Sequence, residues 1–198
     1  MLVLGLTGSL GMGKSATAAM FRAEGVEVFD SDAVVHTLYK SEAAPAIEAA
    51  FPGTVRDGVV DRGLLGERVL TDPAALAGLE AIVHPLVTKA RHAFLAEAAK
   101  RGVQLVVLDI PLLFETGLDR EVDAVVLVTA PKTVQKERVS RRSGMTPERL
   151  AGILKRQMPD EEKRARSHFI IETGRGFASA ERQVRGILRA LAGAKNKL

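Results

Sequence analysis

The sequence predicts an α/β fold, a parallel sheet flanked by helices, and three features carry that prediction. Apolar runs of strand length at residues 2–6, 26–29, 103–109, 122–128 and 169–171 are separated by stretches of helical periodicity. A glycine-rich loop joins the first run directly to a helix. The run at 122–128, Val-Asp-Ala-Val-Val-Leu-Val, has the β-branched character of a strand buried on both faces. With 198 residues, 46% hydrophobic and 26% charged, the chain can bury one substantial core and carry lobes on it, rather than form two independent domains.

Residues 2–6 read as a short buried strand. It runs into Gly8-Ser9-Leu10-Gly11-Met12-Gly13-Lys14-Ser15, which fits G-x-x-x-x-G-K-[ST], the pattern of a phosphate-binding loop. A loop that wraps a triphosphate aims successive backbone N–H groups inward, with φ values that a Cβ disfavours. Gly8, Gly11 and Gly13 meet that need. The helix after the loop adds unpaired N–H groups and a positive dipole end, Lys14 brings a full charge to the β- and γ-phosphates, and Ser15 offers its hydroxyl to Mg²⁺. The expected nucleotide contacts are Gly8, Gly11, Met12, Gly13, Lys14, Ser15 and Ala16.

The second run, 26–29, ends at Asp30-Ser31-Asp32, expected beside the first loop in a doubly wound sheet. Ser31 or Asp32 suits an N-cap, and acids at a strand end also suit catalysis; both readings stand at this point. Residues 43–102 are mostly helical, punctuated by turn signals at Phe51-Pro52-Gly53 and Arg56-Asp57-Gly58. Asp72 caps a helix that has Pro73 at its first position, His84-Pro85 is expected to interrupt it, and Gly102 closes the stretch that resumes at 86. This is more helix than one crossover needs. It suggests an inserted substrate-binding lobe.

The run at 103–109 ends on Asp109, which fits either a Mg²⁺-holding strand-end acid or a cap for the turn at Pro111. Beyond 122–128, Pro131 opens a helix carrying Lys136, Arg138, Arg141 and Arg142. Ser143-Gly144-Met145-Thr146-Pro147 breaks it, and a second helix runs to about 157. Arg138 and Arg142, four apart, share one face. The segment at about 136–160 reads as a lid that closes arginines over a triphosphate, or else as a solvated charged face. A strand at 169–171, a turn at Gly174-Arg175-Gly176 and an amphipathic helix at 178–192 complete a single domain. Its core is expected at 1–42 and 103–198, with the lobe at about 43–102.

Composition removes several functions. Without cysteine there is neither a disulfide framework nor a zinc–thiolate site, and His36, His84, His92 and His168 form no i, i+4 ligand pair. The first apolar run lacks the basic flank and cleavage site of a signal peptide, and no stretch approaches the ~20 apolar residues of a membrane span. A cytoplasmic protein with no membrane partner is expected. The net charge of +4 is local, since residues 132–166 hold 11 Lys and Arg against 5 Asp and Glu. That concentration suits a phosphate-rich small molecule, and no aromatic residues lie among the arginines to stack nucleic-acid bases, so a nucleic-acid partner is not expected. A guanine-selecting Asn-Lys-x-Asp segment is missing, and Ile110 follows Asp109 where many ATPases place a catalytic glutamate. Small size, inserted lobe and arginine-bearing lid point to a small-molecule kinase.

These residues also resemble the dephospho-CoA kinase family nearly from end to end. Leu6-Thr7-Gly8 with the phosphate loop is similar to the family's opening, and Phe29-Asp30-Ser31-Asp32 to its Asp-x-Asp segment. Asp61-Arg62 with Leu64 and Leu65, then His84-Pro85, resemble its inserted lobe. Asp109-Ile110-Pro111-Leu112-Leu113-Phe114-Glu115 is similar to its Pro-Leu-Leu-x-Glu signature, and Arg138, Arg142 and Gln157 fall where it has lid arginines and a following glutamine. Met12 departs from a usual small serine, Ala16 from a threonine and Glu172 from an asparagine before glycine. The resemblance implies transfer of the γ-phosphoryl group of ATP to the ribose 3′-hydroxyl of dephospho-CoA, with these two small molecules as partners of a monomer or small homo-oligomer. It implies Asp32 as the group that orients the hydroxyl and takes its proton. Lys14 and Mg²⁺, held by Ser15 with Asp109 as a further candidate ligand, neutralise the phosphates, and Arg142 with Arg138 closes over the transferred group.

Overall fold

Strands that are apolar on both faces need cover on both, and the apolar runs assemble into one parallel sheet between helices. The computed structural model describes residues 1–141, 145–155 and 157–195. In chain order these form β1 (Leu2–Thr7), α1 (Lys14–Ala23), β2 (Glu27–Asp30), α2 (Ser31–Leu38), α3 (Ala44–Ala50), β3 (Val55–Arg56), β4 (Val59–Val60), α4 (Arg62–Val69) and α5 (Pro73–Lys100). There follow β5 (Leu105–Asp109), a 3₁₀ turn at Leu118–Glu121, β6 (Ala124–Thr129), α6 (Lys132–Ser140), α7 (Pro147–Lys155), α8 (Asp160–Arg166), β7 (Phe169–Glu172) and α9 (Phe177–Lys195).

The sheet order is β2-β5-β1-β6-β7. β1 pairs in parallel with β5, Leu6 opposite Asp109, and with β6, Thr7 opposite Leu127. β7 adds to β6 with Thr129 opposite Glu172. β5 and β6, the latter buried along its whole length, take both edges of β1, and the short β2 lies beyond β5.

The chain divides into two compact units, Met1–Phe29 with Val103–Leu198, and Asp30–Gly102, so the second unit takes in α2 as well as the segment from about 43. The first has a core of Leu4, Leu6, Phe21, Val126, Ile171 and Val184. The second is helical around Leu38, Ile47, Leu65, Val69, Leu79 and Val83.

Local rules explain many of the boundaries. The Asp72 carboxylate accepts hydrogen bonds from the Ala74 and Ala75 N–H groups, and Gly102 leaves α5 at φ 70°. Asp30, rather than Ser31 or Asp32, caps α2 by accepting from Ala33 N–H. The turn at Arg56-Asp57-Gly58 belongs to a hairpin, β3 with β4, in which Asp57 and Gly58 take φ values of 50° and 76°. The expected break at His84-Pro85 does not occur. α5 runs unbroken through Pro85. An interior proline costs about 3 kcal/mol, and the burial of Leu79 and Val83 before it and Arg91 and Ala98 after it holds both halves in one rod. Among the described residues no helix is long and apolar enough to cross a membrane.

Candidate active site

The phosphate loop leaves the C-terminal end of β1 and enters α1 at Lys14. Two of its glycines are obligatory for different reasons. A Cβ on Gly8 would stand 2.5 Å from the carbonyl oxygen of Val128 in β6, and Gly13 turns into the helix at φ 96°, where side chains are disfavoured. Gly11 also has positive φ, at 81°. Ser15 is exposed in the first turn of α1, and Ala16 lines a shallow cleft with Met20 and Phe177.

Lys14 Nζ donates to Asp109 Oδ1 at 2.5 Å, with the carboxylate side chain only 3% exposed at the end of β5. The strand register that sets Leu6 opposite Asp109 delivers this acid beside the strand that feeds the loop. A hydroxyl at Ser15 and a buried carboxylate at Asp109 are hard oxygen donors, the chemistry that Mg²⁺ selects, and these residues fit that ion.

The remaining loop contacts centre on Arg138. Its Nη1 donates to Thr173 Oγ1 at 2.8 Å and reaches Gly11 O at 3.5 Å, and Nη2 donates to Thr173 O at 2.9 Å. Thr173 in turn donates its hydroxyl to Met12 O at 2.7 Å, and Gln135 Nε2 donates to Leu10 O at 2.7 Å. Arg138 thus braces the loop from outside. Arg142 lies outside the described residues.

Met12, the departure from a small loop residue, is 3% exposed, and its thioether accepts the Ala130 N–H at 3.2 Å. The long side chain therefore fills space under the loop and satisfies a backbone donor. Glu172 has a comparable local use, since Oε1 accepts from Gly174 N–H at 2.9 Å.

The basic segment 132–166 is partly engaged within the protein. Arg141 pairs with Glu137 at 2.6 Å, Arg164 with Asp160 at 2.7 Å, and Arg166 with Asp119 at 2.7 Å while lying 4.7 Å from the Phe114 ring centroid. Lys163 is wholly buried, 2.9 Å from Glu115 Oε1, which also accepts Met158 N–H. Sequence reading missed α8, Lys163, Gln135 and Thr173. For Thr173 the only local signal was a threonine between a strand end and a glycine.

In the helical unit, Asp32 is exposed in the first turn of α2. With Asp30 occupied as the cap, the Asp32 side chain lines a cavity of about 370 Å³ together with His36, Tyr39, Arg62, Leu65 and Val69, among others. Burial pushes the Tyr39 phenol above its ordinary value, and the Arg62 charge opposes that shift.

Comparison with known proteins agrees with this geometry. A dephospho-CoA kinase family model matches residues 2–178. The dephospho-CoA kinase of Mesorhizobium japonicum is 60% identical over 193 residues, 98% of each chain. The solved structure of TT1252 from Thermus thermophilus superposes with a TM-score of 0.82 at 35% identity over 96% of both chains. Dephospho-CoA kinase from Campylobacter jejuni, 22% identical over 95% of this chain and 96% of its own, shares the fold with a TM-score of 0.66. A phosphate loop backed by a strand-end acid, on a chain matched along almost its whole length, leaves one assignment: the protein belongs to the dephospho-CoA kinase family.

Proposed function

We propose that this protein carries out its family's reaction, the last step of coenzyme A biosynthesis, by in-line transfer of the γ-phosphoryl group of ATP to the ribose 3′-hydroxyl of dephospho-CoA, with CoA and ADP as products. The observation that carries the reading is the Gly8–Ser15 loop with its lysine paired to Asp109 at 2.5 Å. Phosphoryl transfer asks the protein mainly for placement and for charge that meets the equatorial oxygens.

In this reading the loop N–H groups from Gly8 to Ala16 hold the phosphates, and Lys14 exchanges part of its contact with Asp109 for the β- and γ-oxygens. Ser15 and Asp109 would hold Mg²⁺, which supplies Lewis-acid neutralisation of the phosphate oxygens when bound. Asp32 accepts a hydrogen bond from the attacking hydroxyl, orients it and receives its proton late. Arg142 closes over the transferring group. The role proposed for Arg138 is positioning, through Thr173 and the Gly11 carbonyl.

Steady-state ADP release with Mg-ATP and a panel of acceptors tests the reading. Dephospho-CoA should stimulate release far above shikimate, gluconate or buffer alone. Equal rates across the panel would leave a nucleotide-binding protein whose acceptor is something else.

A further inference from the structure

The segment that carries Arg142 is tied down on both sides of that residue. Before it, Gln135 and Arg138 of α6 reach the loop carbonyls of Leu10 and Gly11. After it, past the end of α7, the Met158 N–H donates to Glu115 Oε1 at 2.7 Å, and the same oxygen lies 2.9 Å from Lys163 Nζ in α8. Asp119 pairs with Arg166 at 2.7 Å, and Arg166 reaches back to the Met158 sulfur at 3.9 Å. One carboxylate thus joins the exit of the segment to α8.

Glu115 is itself fixed with respect to the nucleotide site. It stands six residues beyond Asp109, in a turn closed by Thr116 N–H to Leu112 O at 3.0 Å, Thr116 Oγ1 to the same oxygen at 2.7 Å and Gly117 N–H to Phe114 O at 3.2 Å. Ile110 N–H donates to Leu6 O at 3.0 Å and Thr7 Oγ1 to Pro111 O at 3.0 Å, so the turn is fastened to the strand that feeds the phosphate loop. The α8 side is fastened too, because Thr129 Oγ1 at the end of β6 donates to the Asp160 carboxylate at 3.1 Å.

Stability alone is a poor reason for this cluster. A buried ion pair is often no more stabilising than apolar residues of the same volume. Here Lys163 Nζ, Glu115 Oε2, Asp119 Oδ1 and Gln157 Oε1 are also buried with no hydrogen-bond partner among the described residues. What the cluster supplies is register between the turn after Asp109 and the chain leaving α7. We infer that Glu115 is a positioning residue for phosphoryl transfer, its carboxylate fixing the exit of the arginine-bearing segment at Met158 relative to Asp109 and the phosphate loop. The inference rests on the reaction proposed above, in which Arg142 meets the transferring group. Misplacing a catalytic charge by about 1 Å can cost on the order of a hundredfold in rate, which is why a fixed exit matters.

Two double variants separate placement from charge. Glu115→Gln/Lys163→Met removes both charges and keeps an oxygen for the Met158 N–H, whereas Glu115→Leu/Lys163→Met removes that oxygen as well. Steady-state kcat and KM with dephospho-CoA, per folded protein and well below either Tm, are set beside ATP affinity from calorimetry. The first variant should keep kcat within about threefold of wild type, and the second should lose about ten- to a hundredfold in kcat while its ATP affinity moves by less than about twofold. Met158→Pro, which deletes the N–H and leaves the ion pair, should lose kcat in the same way, and it carries the test if the leucine variant does not fold. Equal kcat in the two double variants, or a Met158→Pro enzyme as fast as wild type, overturns the inference while leaving the reaction standing. So does a loss of ATP affinity as large as the loss of kcat, which would make Glu115 a structural residue. A wild-type protein that does not phosphorylate dephospho-CoA overturns both.

Discussion

Replacing Lys163 by alanine should be among the most damaging changes outside the nucleotide site. The Lys163 side chain is 0% exposed and its partner Glu115 16%, with Nζ and Oε1 2.9 Å apart. That distance suits a hydrogen bond, yet Lys163 Nζ and Glu115 Oε2 have no aligned hydrogen-bond partner among the described residues, so the contact is held chiefly by charge. Breaking one side of a buried pair costs about 3–5 kcal/mol because the remaining charge stays out of water. At about 2–4 °C per kcal/mol for a chain of this size, Tm should fall by roughly 6–20 °C. Glu115→Ala should be at least as harmful, since it strands a fully buried ammonium. The double variant Glu115→Ala/Lys163→Ala should lose less than the two single losses combined, because no uncompensated charge remains. Calorimetric unfolding of the four proteins measures this. A Lys163→Ala protein within about 1 kcal/mol of wild type, or losses that simply add in the double variant, would refute the reasoning.

Three further outcomes follow from the same geometry. Asp32→Ala should depress turnover more than a hundredfold, about 3 kcal/mol or more in barrier, while ATP affinity by calorimetry hardly moves; collapse of ATP affinity would make Asp32 a structural or metal-holding residue. Arg138→Ala should raise KM for ATP by releasing the loop, and Thr173→Val should reproduce much of that effect through the same lost contacts at 2.8 and 2.7 Å. A large kcat loss in Arg138→Ala with none in Thr173→Val would instead assign Arg138 to the transferring phosphate. Met12→Ser leaves Ala130 N–H without its thioether acceptor and opens space beneath the loop, so urea unfolding should register a loss of about 1–3 kcal/mol.

What could be read from the sequence was local in origin. The Gly8–Ser15 loop, the Asp72-Pro73 helix start and the Gly102 helix end each depend on residues within a few positions of one another. The chain's folding logic at those points is complete in a short window. Pro85 misled for the opposite reason: its cost is local, whereas the burial of Val83 and Arg91 that outweighs it comes from packing. The Arg138–Thr173 brace joins residues 35 apart, and the thioether contact of Met12 with Ala130 spans 118. Neither pairing leaves a trace in periodicity or spacing. Lys163 looked like one more cation in a basic segment until the fold set it against Glu115. Arg62 and Tyr39 likewise come to line one cavity only because α2 and α4 both pack on α5 in the helical unit.

The fate of one phosphoryl group decides the reaction. Incubation with Mg-ATP and dephospho-CoA, followed by mass analysis and ³¹P NMR of the products, should give ADP and a product one phosphate heavier in equal amounts, with a new monoester signal at the ribose 3′ position. ADP release that dephospho-CoA does not stimulate in a protein that still binds ATP, or a phosphate found at another position, would contradict it.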